Sequence, residues 1–236
     1  MSRVLMVVSA ADTLVLTDGT AHPTGFWAEE LVVAHRTLSQ AGHEVVVATP
    51  GGARPTVDPV SLDEKTVGSA GKVEDLQAYL REIGTALDAP AALEGVDVSG
   101  FDAVVLPGGH GPMVDLAVDP ALGRLLAQAD ESGLVIAPFC HGPAALLSAT
   151  NDDGGFVFAG RRLAVFTDEE ERTGGTGETT PWFVATRLRE RGAVVEEGPA
   201  WSSFVVRDGN LVSGQNPQSS EAVAQAVLDA LGASRR

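Results

Sequence analysis

Five short apolar runs, at residues 4–8, 45–48, 103–106, 134–137 and 163–166, constrain this chain more than any other feature. None alternates apolar with polar residues, which is the pattern of strands covered on both faces in a parallel sheet. Amphipathic stretches at 26–41, 120–132, 142–149 and 180–191 lie between or after them and predict helices. Gly42 follows the first of these as a C-cap, and His43-Glu44 leads into the next run. A late hairpin is predicted around Asp208-Gly209-Asn210, from 204–206 and 211–213, and a last amphipathic helix over 219–231. The alternation predicts an α/β fold, a doubly wound and mostly parallel sheet sandwiched by helices. Residues 50–100 break the rhythm. Gly51-Gly52, Pro55 and Asp58-Pro59 read as loop and 73–87 as a helix, an insertion or small lid within a single domain spanning 1–236.

Composition narrows the partners. Sixteen basic against 32 acidic residues give a net charge of −16, the wrong sign for phosphate backbones or anionic membranes. We therefore expect neither a nucleic-acid nor a membrane partner. No apolar run approaches the ~20 residues needed to span a bilayer. The 4–8 run has only Arg3 before it and reads as a first strand in preference to a signal-peptide core. One cysteine excludes an intramolecular disulfide framework and fits a reducing cytoplasm.

That cysteine stands where chemistry is expected. Leu134-Val-Ile-Ala-Pro-Phe-Cys140-His141-Gly142-Pro143 runs from a buried strand into a helix start. A thiol at such a corner is predicted to point into solvent, with free amides behind it and a helix dipole favouring its anion. A lone cysteine also fits a plain buried role, as a small hydrophobe. In an open α/β sheet three more segments would reach the same end. Leu106-Pro107-Gly108-Gly109-His110-Gly111 offers a Gly109 amide that can pair with the His141 amide as an oxyanion hole. His110 fits a surface turn as well as it fits a site. In Thr24-Gly25-Phe26-Trp27-Ala28-Glu29-Glu30-Leu31, Glu29 reads as a dipole partner. Glu30 lies on a semi-apolar stripe with Phe26 and Ala34, where desolvation would raise its pKa and let it share a proton with a thiolate. Such a protonated partner would hold the thiol well below its usual ~8.5. Within Phe166-Thr167-Asp168-Glu169-Glu170-Glu171, one carboxylate could orient His141. No residues have metal-ligand spacing, so no metal is expected.

Taken together, TGFWAEEL (24–31), LPGGHG (106–111), CHGP (140–143), FTDEEE (166–171) and VSGQNPQS (212–219) resemble the DJ-1/PfpI superfamily, whose fold is flavodoxin-like and shared with class I glutamine amidotransferases. With DPVS (58–61) in the insertion, the likeness extends to the branch of heat-inducible chaperones and glutathione-independent glyoxalases (glyoxalase III), over nearly the whole chain. The resemblance implies Cys140 as nucleophile, His141 as its histidine, Glu30 as the helix carboxylate, and Gly109 with His141 as backbone oxyanion donors. It places the third triad member at Glu171, with Glu170 left open by the run of glutamates. It implies a homodimer and no cofactor. The implied activity is conversion of small 2-oxoaldehydes such as methylglyoxal to 2-hydroxy acids without glutathione. A stress chaperone, a deglycase or cysteine peptidase-like hydrolase of the same superfamily, and a redox sensor are the alternatives.

Overall fold

The computed structural model describes residues 1–233. It opens with β1 (Arg3–Val7), a small hairpin of β2 (Thr13–Val15) and β3 (Ala21–Pro23), then α1 (Ala28–Gln40) and β4 (Glu44–Thr49). The 50–100 segment follows as α2 (Glu64–Val67), α3 (Ala70–Glu82), α4 (Gly84–Asp88) and a two-residue strand β5 (Ala91–Ala92). Next come β6 (Ala103–Leu106), α5 (Pro120–Glu131), β7 (Val135–Pro138) and a 3-10 helix at Gly142–Ser148. The chain continues through β8 (Arg162–Leu163), α6 (Asp168–Gly174), α7 (Val184–Glu190), β9 (Val194–Val195), the hairpin β10 (Val205–Asp208) and β11 (Leu211–Gly214), and α8 (Ser220–Ala233).

Seven strands form the central sheet in the order β10-β11-β7-β6-β1-β4-β5. Every pairing is parallel except β10 with β11, as the hairpin at Asp208-Gly209-Asn210 demands. The chain winds outward from β1 through β4 to β5, then returns to the other side of β1 as β6. That reversal opens the crevice beyond the carboxyl ends of β1 and β6 in which α/β sheets place their ligands. Both faces of the strands are buried, which accounts for runs without alternation: Leu5, Val7, Val104 and Ile136 join one core layer, and Val4, Met6, Val105 and Ala137 the other.

Two sequence expectations change. The 163–166 run does not enter the central sheet. Only Leu163 pairs, with β9 in a separate two-stranded sheet, and the rest crosses the sheet end, where Phe166 N–H donates to the Cys140 carbonyl at 2.9 Å. The apolar signal there reports burial under the strand ends, not a ladder. The helix predicted over 73–87 is two helices, α3 and α4, parted at Ile83, and the segment ends in β5 at the sheet edge.

The same segment also secures α1. Trp27, at the N-cap of α1, supplies no capping side chain, and the free Ala28 N–H donates instead to Ser61 Oγ at 3.0 Å. Asp58 accepts from Thr24 Oγ1 at 3.1 Å, and backbone bonds join Phe26 to Thr56 and Asp58. Leu76 and Tyr79 of α3 pack on Ala28 and Val32 of α1. DPVS is thus the clamp on the helix that carries Glu30.

Candidate active site

Cys140 follows β7 with φ of 55°, a left-handed conformation costly for a residue with a Cβ. Its backbone is fixed on both sides: the N–H donates to Gly214 O at 3.0 Å, and the carbonyl accepts from Phe166. The strand-to-helix corner is therefore formed. The expectation that the thiol points into solvent is not met, because Cys140 is 2% exposed and opens only into a small pocket.

Glu30 is fully buried on the first turn of α1. Its Oε2 accepts the Gly108 N–H at 2.6 Å, its carboxyl interacts directly with the Cys140 thiol, and Oε1 completes no hydrogen bond. Burial pushes Glu30 up to about 8, against the pull of the thiol and the Gly108 amide. Glu29, its neighbour, faces outward to Lys72 Nζ at 2.7 Å. The thiol does not show the depression expected from the sequence. Burial raises it well above its ordinary range, the Glu30 carboxyl adds to the rise, and the Gly109 and His141 amides only oppose it. A helix start favours the thiolate, but desolvation of the sulfur outweighs it.

His141 lies between thiol and carboxylate. Its Nδ1 is 3.4 Å from Cys140 Sγ and its Nε2 is 2.7 Å from Glu171 Oε2. A carboxylate only accepts, so Nε2 carries the hydrogen and the Nδ1 lone pair faces the sulfur. Burial and the nearby His110 hold His141 below its usual value, favouring the neutral ring. Burial pushes Glu171 up, but bonds from His110 and His141 outweigh it and keep the carboxylate ionised well below the usual range.

The two glutamates left open by the sequence separate cleanly. Glu171 holds His141, His110 and the Thr176 amide, the last at 2.6 Å. Glu170 makes no histidine contact. Its Oε2 closes the capping box of α6 with Thr167, and its Oε1 accepts from Trp201 N–H at 2.8 Å, Asn216 Nδ2 at 2.8 Å and Gln215 Nε2 at 3.2 Å. VSGQNPQS therefore serves Glu170 through Gln215 and Asn216.

His110 is the residue whose place the sequence could not decide. It is buried, with Nε2 3.1 Å from both oxygens of Glu171 and its ring 4.3 Å from that of His141. The signal available was its position in the glycine loop directly after β6. The ligating atoms of His110, His141 and Glu171 lie within 4.8 Å of one another, an arrangement able to hold a metal that chain spacing did not suggest. In this structure hydrogen bonds already join those atoms.

Trp27, Val67, Gly109, His110, Phe166 and Trp201 line the pocket over Cys140, a cavity of about 150 Å³. That is about the size of a void that admits benzene and below the ~300 Å³ of ordinary ligand sites. A larger groove of about 560 Å³ between residues 54–88 and Phe26 contains none of the Cys140, His141, Glu30 or Glu171 side chains.

Fold and site together define a cysteine-bearing α/β sandwich with the thiol at the switch point. Residues 20–230 match the model of the DJ-1/PfpI family, and the chain belongs to that family. It is 32% identical over 81% of its length to the glutamine amidotransferase-like class 1 domain-containing protein 1 of Bos taurus, covering 82% of that protein. It is 28% identical to the protein/nucleic acid deglycase HchA of Pseudomonas aeruginosa, over 92% of this chain and 77% of that one. It is 26% identical to the glutathione-independent glyoxalase hsp3101 of Schizosaccharomyces pombe, over 96% and 94%. A crystallographically determined chain at 41% identity superposes with a TM-score of 0.84, covering 100% of both. Among the described residues no helix is long and apolar enough to cross a membrane.

Proposed function

We propose that this protein is a cofactor-independent glyoxalase that converts methylglyoxal or a related small 2-oxoaldehyde to the 2-hydroxy acid through Cys140. One observation carries the reading: Glu30 and His141 both contact the same buried sulfur, one as a protonated acid and one as a neutral base. The glyoxalase name of the Schizosaccharomyces pombe relative supports it, as does a pocket too small for bulky substrates.

The chemistry follows from these placements. Cys140 gives its proton to His141 Nδ1, and Glu171 stabilises the imidazolium. The sulfur adds to the aldehyde carbon, the oxyanion meets the Gly109 and His141 amides, and Glu30 protonates it to a hemithioacetal. Ionised Glu30 then removes the hydrogen from that carbon while His141 protonates the ketone oxygen, giving an enediol. Glu30 returns its proton to the second carbon and His141 takes the hydroxyl proton from the first, leaving a thioester. Glu30 takes a proton from water as it attacks, and the sulfur leaves and regains its proton from His141 as the 2-hydroxy acid is released, which restores the starting state. One carbon is oxidised, its neighbour is reduced, and one water is consumed, so no external redox partner enters. The test is hydroxy-acid formation from methylglyoxal with no added thiol. Failure across several 2-oxoaldehydes, with Cys140 reduced and the protein folded, rejects the reading.

A further inference from the structure

Trp201 has no part in the chemistry above, yet the fold strains its backbone to hold it. Its φ is 60°, in the left-handed region that a bulky side chain avoids. Three separate features keep it there. The buried Glu170 carboxylate accepts its N–H at 2.8 Å. Its six-membered ring lies over Gly174 so closely that a Cβ at that position would meet Cη2 at 2.5 Å. Its ring also meets Phe166 edge-on at 5.6 Å, and Phe166 in turn lies against His141 at 4.4 Å. Trp201 remains 41% exposed, so it is a rim and not a core residue. Strain held by a buried anchor at the mouth of a reactive pocket points to function, since core packing would not need it.

We propose that Trp201 is the size-selecting wall of the Cys140 pocket, set by Glu170 and Gly174, which admits free small 2-oxoaldehydes and excludes aryl-substituted and protein-borne ones. The substrate class rests on the glyoxalase reading, whereas the wall does not. The wall also separates this reading from a deglycase acting on protein adducts, because an adduct carries its bulk to the rim.

Because the chain has one cysteine, alkylation reports on Cys140 alone. Rates with iodoacetamide and with N-phenyl iodoacetamide, which share a reacting group, are compared in the wild type, Trp201→Gly, Trp201→Asn and Trp201→Phe. Gly and Asn both accept positive φ, so two independent variants carry the test. The preference for the small reagent is expected to fall roughly tenfold or more in Gly and Asn, the scale of steric discrimination by a pocket wall, and to persist in Phe. The ratio of kcat/KM for phenylglyoxal over methylglyoxal is expected to rise on the same scale. An unchanged alkylation preference, or a thiol inert to both reagents in every variant, overturns the wall. Absence of 2-oxoaldehyde turnover beside a shifted alkylation preference leaves the wall standing and removes the glyoxalase reading.

Discussion

Among the described residues, Cys140 and Trp201 are the two non-glycine positions with positive φ, at 55° and 60°, and they are held by different means. The Cys140 corner is built into the sheet end: its amide bonds Gly214 at the end of β11, and its carbonyl is bonded by Phe166. The Trp201 loop hangs on side chains: the buried Glu170 carboxylate holds the Trp201 amide, and Asn216 Nδ2 donates to the Ser202 carbonyl at 2.9 Å. Strain at the corner is shared by strands that would have to unfold together. Strain at the loop is held by side-chain contacts. The corner is therefore suited to chemistry that must not move, and the loop to selectivity that can be retuned without disturbing the fold.

Substitutions should divide along that line. Cys140→Ser removes the nucleophile and should abolish both hydroxy-acid formation and thiol labelling, with residual turnover at background. Measurable turnover in that variant would detach the corner from the reaction. Glu30→Gln keeps a donor but loses the exchangeable proton, and kcat should fall by about 10²–10⁴, the usual worth of a positioned acid or base. Glu171→Ala should also collapse kcat, by releasing His141. Glu170→Ala leaves buried donors without an acceptor, at about 1–3 kcal/mol each, so melting temperature should fall by several degrees while alkylation by small reagents continues. If Glu170→Ala and Glu171→Ala have the same profile, corner and loop are one unit and the contrast fails.

pH sharpens the same contrast. The folded-state pKa of Glu30 is raised from 4.5 to about 8, so the folded protein binds more protons than the unfolded chain between those values. Its contribution to stability therefore decreases as pH rises through that window and is constant above it. Activity should decline as pH passes about 8 and Glu30 starts the cycle ionised. Glu30→Gln should flatten the stability trend in urea titrations at pH 5 and pH 9, while Trp201→Gly should leave it intact. The smallest effect belongs to Glu29→Gln, which loses a part-exposed pair with Lys72 and should change turnover less than about threefold.

What the sequence made legible was what chain order controls. Parallel strands, the Cys140 corner and the burial of Glu30 all follow from local periodicity and from where strand ends must lie. Three matters depended on distant segments. The 163–166 run has strand composition, but its apolar atoms are buried beneath other strand ends, so composition alone misassigned it. Glu170 and Glu171 are adjacent in the chain and face different partners, Trp201 and His141, which arrive from 31 and 30 residues away respectively. His110 was indeterminate because its partner, Glu171, is 61 residues away. The thiol's raised pKa likewise needed three-dimensional burial, which a motif does not carry.

One residue, Gly108, joins acid and oxyanion donor. The Gly108 N–H donates to Glu30 at 2.6 Å, and the Gly108 carbonyl, in the same peptide plane as the Gly109 N–H, accepts from Trp27 N–H at 2.9 Å, so both backbone groups of Gly108 are held by the start of α1. Gly109, the next residue, has φ of 90°, and a Cβ there would meet the Gly25 carbonyl at 2.3 Å, so its amide cannot reorient independently of that turn. Losses from changing Glu30 and from disturbing Gly109 will thus not sum in a double-mutant cycle, because either substitution already removes part of what the other reports.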